Sequence, residues 1–226
     1  MTTALLPKVW TRPLALPANA DNSQYAPLLS NLGALGVSQI TPKYLALAQN
    51  GLVYGISAGV VANAKIPIVD VGTTTAAWAL YNGNATGNGG YALHVLRVGV
   101  WLASGTSDIG FSLIAGMSTA VQASAVTNAT GIVGPKSLSS SASQRTSLAT
   151  LGGAVTLAGA PSWVPLGSGN HHAAVATVGT GLVAEVDGGI VIPPGFACGF
   201  TVLAGVGTTA KFAVSVIYAE IPSYLV

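Results

Sequence analysis

From Leu52 onward the chain is written in short apolar runs rich in Val, Ile, Tyr, Trp and Thr, each bounded by clusters of Gly, Asn and Ser. Branched and aromatic side chains suit a pleated, half-buried surface, and frequent turn clusters return the chain on itself. The pattern predicts strands near 52–62, 66–71, 76–82, 91–103, 109–116, 162–166, 181–187, 189–192, 198–205 and 211–220. The expected fold class is all-β, an antiparallel β-sandwich over residues 51–226. A Ser/Thr/Ala-rich insertion at 118–160 reads either as a surface loop or as irregular strands.

Two runs carry information about burial. Between Lys211 and Glu220, Phe212, Val214, Val216 and Tyr218 alternate with Ala213, Ser215, Ile217 and Ala219, a pattern suited to one packed face. Between Tyr91 and Leu102, simple alternation puts Leu93 and Val95 on one face and Leu96, Val98, Val100 and Leu102 on the other. A strand apolar on both faces lies between two layers, and in an antiparallel sandwich another subunit is expected to supply the second layer.

Residues 1–50 read differently. Pro7, Pro13, Pro17 and Pro27 stop any helix or central strand, so the first 27 positions form an extended arm. With Leu5, Leu6, Val9, Trp10, Leu14 and Leu16 it is too apolar to stay in water, and it is expected to lie on its own domain or on a neighbour. Ser23 to Leu35 can form a short helix capped by Asn22 or Ser23. A second follows, with Thr41 as N-cap, Pro42 at the first helical position and Gly51 after the last turn. The stretch from Tyr44 to Ala64 is free of charge and long enough to span a bilayer, with Gly51, Gly55 and Gly59 at small-residue spacing. Gln49, Asn50, Ser57 and Asn63 interrupt it, and a helix end followed by a strand is expected instead of a membrane span. Ala18-Asn19-Ala20 resembles a signal-peptidase site, but Pro7, Lys8, Arg12 and Pro13 cut the apolar stretch a signal peptide needs.

Charge is scarce. Eight Lys or Arg and six Asp or Glu serve the whole chain, of which half is apolar, against a usual charged share of about a quarter. The surface must therefore be Ser, Thr, Asn and Gly, or be covered by other copies, and self-assembly is the expectation. The basic residues are scattered with no two adjacent, which excludes the clustered cations that nucleic-acid binding needs. Cys198 is alone, so there is no disulfide framework, and it reads as a small buried hydrophobe in a reducing cytoplasm.

Motifs that suggest chemistry fail in context. Gly55-Ile-Ser57-Ala-Gly59 has the spelling of a nucleophile elbow, yet both flanks read as strand. Gly205-Val-Gly207-Thr-Thr-Ala210 has dinucleotide-fingerprint spacing but is followed by the alternation of a strand, so it reads as a hairpin. His171-His172 with His94 lacks the carboxylate or thiol spacing of a metal site. One His per subunit meeting on a three-fold axis is the remaining metal hypothesis. Glu185 and Asp187 share a strand face, and Asp187-Gly188-Gly189 reads as a turn. Asn84-Ala-Thr86 and Asn128-Ala-Thr130 are sequons with nothing else to suggest secretion. No enzyme activity and no cofactor are expected.

The order of features resembles that of small virion proteins of tailed bacteriophages. A strand ends in Ala79-Leu80-Tyr81-Asn82, followed by a Gly/Asn-rich turn from Asn84 to Gly90 and the strong strand Tyr91 to Leu102. After the Ser/Thr/Ala-rich middle come Asp187 to Gly195 and a last strand ending in Tyr218-Ala-Glu220-Ile221-Pro222. The resemblance covers roughly residues 52–222 and leaves the arm outside. It implies a jelly-roll-like sandwich that forms a homotrimer on the virion, assembled in the bacterial host cytoplasm, with the major capsid protein or another virion protein as partner. A capsid decoration or cement protein is the expected function. Leu5, Leu6, Trp10, Leu14 and Leu16 of the arm, with Trp101 and Trp163, are the expected contact residues. The alternative is a tail or head-fibre module that binds a receptor or carbohydrate, for which Tyr81 with Asn82 and Asn84 is the one fitting cluster.

Overall fold

A computed structural model describes residues 44–58, 64–65, 67, 74–85, 90–105, 110–129, 133–138, 146–170, 178–204 and 210–222. The arm residues Leu5, Leu6, Trp10, Leu14 and Leu16 and the helix expected at Ser23–Leu35 lie outside these residues, as do His171 and His172. Among the described residues one short helix, α1 (Leu45–Gln49), precedes ten strands. They are β1 (Val53–Ala58), β2 (Thr75–Asn82), β3 (Tyr91–Ser104), β4 (Gly110–Met117), β5 (Val133–Ser137), β6 (Ala149–Thr156), β7 (Trp163–Asn170), β8 (Gly181–Ile192), β9 (Ala197–Ala204) and β10 (Lys211–Pro222).

The strands form two antiparallel five-stranded sheets, ordered β5-β1-β10-β3-β8 and β6-β2-β9-β4-β7. The pairing is nested: β4 pairs with β7, β3 with β8, β2 with β9 and β1 with β10. The chain thus runs out through β1 to β4 and returns through β7 to β10, alternating between the sheets. β5 and β6, drawn from the middle segment, each add one strand to the outside of a sheet, β5 on β1 and β6 on β2. The segment read as an insertion is therefore partly strand.

The core lies between the sheets. Trp78, Leu80, Phe111, Leu113, Leu151 and Phe200 from the second sheet meet Leu93, Val98, Leu102, Phe212, Val216 and Tyr218 from the first. Phe111 and Phe212 touch across the gap with ring centroids 4.9 Å apart, a tilted arrangement that the ring quadrupoles favour. Each such fully buried side chain contributes about 1.5–3 kcal/mol.

β3 departs from simple alternation. Leu93 and Val95 point into the core, and so do Val98, Val100 and Leu102. Register shifts between Val95 and Arg97 against β8, and between Ile217 and Tyr218 against β10, mark a β-bulge that flips the parity at Leu96. The strand is therefore not apolar on two faces over its length. Of its Leu and Val side chains Leu96 alone turns outward, and α1 covers it together with Val53 and Ala219, using Tyr44, Leu47 and Ala48. No second subunit is needed there.

α1 ends as its sequence predicts. Gly51 takes φ 68°, Leu52 N–H donates to Leu47 O and Gly51 N–H to Ala48 O, the paired bonds of a Schellman cap. β1 follows at once, so the charge-free stretch is a helix end and a strand. No helix among the described residues is long and apolar enough to cross a membrane. β8 is one strand, not two: Asp187 (φ 58°) and Gly188 (φ 83°) sit inside it as a bulge where a turn was expected.

Candidate functional site: the outer faces of the sandwich

Ser57 lies within β1, opposite Ser215 of β10, on extended backbone, while Gly59 and residues 205–209 of the two glycine-rich motifs lie outside the described residues. Cys198 is buried, and the cost of placing a thiolate there pushes its pKa up to about 12, which removes it as a nucleophile. No group of three His, Cys, Asp or Glu side chains that could hold a metal occurs among the described residues.

The cluster expected to hold a glycan is spent on structure. Asn82 is fully buried at the end of β2. Its Nδ2 donates to the carbonyls of Tyr91 (2.7 Å) and Ile192 (2.8 Å), and its Oδ1 accepts from the backbone and side-chain amides of Asn84. The side chain thus clamps the β2–β3 turn onto the end of β8, which is why asparagine, with donors and an acceptor on one short stem, is suited to this position. Asn84 is itself buried, so its sequon presents no free amide, and Tyr81 packs half-buried against the small-residue layer outside β2.

A second buried polar cluster closes the other side of the sandwich end. Glu220 is fully buried, and Ser147 Oγ–H donates to its Oε1 at 2.6 Å. The same hydroxyl lies 2.7 Å from the Tyr218 hydroxyl, whose pKa burial raises. Nothing in the sequence around Ser147 pointed to this pairing, because the partners are separated by the whole return half of the chain.

The two outer faces differ in charge. The first sheet carries Arg97, Lys136, Glu185, Asp187, Lys211 and the inward Glu220. Arg97 and Glu185 form an exposed cross-strand pair at 2.5 Å, worth little in water. Tyr44 OH donates to Asp187, which ties the root of the N-terminal segment to this face. Beside it lies His94, whose Nε2 is buried without a hydrogen-bond partner and whose pKa burial lowers. Trp101 stands half-buried on the same face between Gly181 and Ala213, and Val183 is 59% exposed.

The second sheet has no Asp, Glu, Lys or Arg on any strand. Its outer face is a layer of small residues, Ala76, Ala79, Ala197 and the glycines 116 and 199, with Leu157, under the half-buried ring of Trp163. A Cβ at Gly116 would stand 2.9 Å from that ring, so the indole lies directly on the backbone. Trp163 thereby covers its own domain, and its exposed edge alone is open to another molecule. Residues 118–129 cross outside β6 as a strap. Thr150 Oγ1–H donates to Val126 O, Leu151 N–H to Asn128 Oδ1 (2.8 Å), Ala129 N–H to Leu151 O (3.2 Å) and Ala158 N–H to Gln122 Oε1 (3.1 Å). The strap satisfies and hides a sheet edge that would otherwise pair with other chains. Between strap and strand a shallow cleft of about 590 Å³ remains, lined by Gln122, Ser124, Val126, Gly152, Gly153 and Val155 among others.

No family model, curated protein or solved structure matches the chain.

Proposed function

We propose that the chain is a structural protein of a tailed-bacteriophage virion, a homotrimer that decorates the capsid head and cements it, and that its sandwich is a jelly roll. The observation that carries this reading is the nested strand order. Without the added β5 and β6 the sheets read 1-10-3-8 and 2-9-4-7, the wiring of one long hairpin rolled over itself, which serves viral capsid and lectin domains alike. The charge-free second layer favours assembly over sugar recognition, since obligate contacts resemble a core cut in half. The internal use of Asn82 and Asn84 weighs against the glycan alternative.

The arm is the proposed attachment element. α1, which follows the arm in sequence, packs through Tyr44, Leu47 and Ala48 on the first sheet, away from the neutral layer. One face of the domain is then free for sister copies while the arm, through Trp10 and its leucines, reaches the capsid protein. Antibodies against the purified chain should decorate intact particles of the phage that encodes it in a regular array on the head. Labelling confined to the tail favours the receptor-binding alternative, and unlabelled particles sink the virion assignment.

A further inference from the structure

We infer that the second-sheet face, with its strap, is the surface through which copies of this chain contact one another, an inference that rests on the trimeric reading above. Residues 74–85, 110–129, 146–170 and 193–204, which make up the described part of this layer, contain no Asp, Glu, Lys or Arg. A layer of that size would ordinarily hold roughly a dozen or more. The charges of the described residues are instead gathered on the other sheet, apart from Lys65, which bridges to Phe212 of β10 and lays the end of its side chain, ammonium included, over Gly153 of β6.

That partition selects the occupant. A partner surface with ordinary charge density, docked here, would lose the hydration of its charges and find no counter-charge beyond the Lys65 ammonium over Gly153, a cost of several kcal/mol per buried ion. A neutral surface meets no such cost, and the molecule's own neutral face is the complement the sequence guarantees to be present at every encounter. The relief fits as well. Val121 on the strap is 53% exposed and Leu148 beside β6 is 51% exposed, while the cleft between strap and strand is floored by Gly152 and Gly153. Apolar knobs and a small-floored cleft on one face allow the knob of one copy to enter the cleft of the next, a head-to-tail contact that closes into a ring. The cleft also contains a donor in want of an acceptor. Gln122 uses its Oε1 on Ala158 N–H, but its Nε2 is buried with no partner. A backbone carbonyl brought in by a neighbour would satisfy it.

The test compares charge placed on each face. Val121→Glu and Ser124→Glu lie on the exposed strap, and Val183→Glu lies on the exposed outside of the first sheet. Sedimentation velocity on the full-length chain should show the unaltered protein and Val183→Glu as the same oligomer, with Val121→Glu and Ser124→Glu shifted to monomer by at least tenfold weaker association. As a second readout that survives a poorly folding variant, Ser124→Cys in the assembled protein should react with a water-soluble disulfide reagent at least tenfold more slowly than Val183→Cys, against the silent background of buried Cys198. If Val183→Glu dissociates the oligomer and the strap variants do not, the surface is assigned wrongly while the trimer stands. If the unaltered chain is a monomer, the surface and the trimeric reading fail together.

Discussion

At the scale of single residues, the most consequential side chain is Asn82. Alanine there would remove the donor to the carbonyls of Tyr91 and Ile192 and the acceptor for both amides of Asn84 in a buried place. Asn82→Ala should lower unfolding free energy by about 3 kcal/mol, read as an earlier denaturant midpoint with unchanged slope. Ser147→Ala should cost about 1–3 kcal/mol, because it leaves the buried Glu220 carboxyl short of a donor. His94 gives the chain a pH dependence with a definite sign. Burial lowers its pKa below 6.5, so the folded state disfavours the proton that the unfolded chain accepts. The stability this residue supports is complete above pH 6.5 and declines as pH falls through 6.5 toward the lowered value. Urea midpoints at pH 7.5 and 5.0 should differ, and His94→Gln should shrink the difference. An unchanged difference would locate the titration elsewhere.

At the scale of elements, periodicity was legible where it was unbroken and silent where one residue was added. β10 alternates cleanly, and Phe212, Val214, Val216 and Tyr218 face the core as its pattern requires. The α1 terminus was legible because Gly51 supplies a left-handed residue where a helix must end. β3 misled because its bulge adds one residue without altering composition, and parity alone cannot register it. β5 and β6 fall in the segment read as either a loop or irregular strands, and their bounds were not legible, since Val133-Gly-Pro-Lys-Ser and Ala149-Thr-Leu-Gly-Gly contain few strong β-formers. Their conformation comes from pairing to β1 and β2, a tertiary effect that overrides local preference. The role of Trp163 was hidden for a related reason, because its floor consists of glycines and alanines from β2, β4 and β9. Trp163→Ala should cost about 2–3 kcal/mol. Gly116→Val should be harmful in the parent and partly tolerated beside Trp163→Ala, a coupling that a double-mutant cycle measures.

At the scale of the whole molecule, scarcity of charge was visible from the sequence, but its partition was not. Charged and neutral stretches alternate along the chain, and only the rolled strand order sorts them, sending β2, β4, β6, β7 and β9 to one layer and β1, β3, β5, β8 and β10 to the other. The result is a domain with two unlike faces: a neutral one suited to its own copies and a charged one to which the arm's root is tied. Light scattering coupled to size exclusion on the full-length chain addresses the central claim most directly. The account predicts a single species of three times the 22.4 kDa chain mass, unchanged on dilution into the low micromolar range. A monodisperse monomer at those concentrations would contradict it.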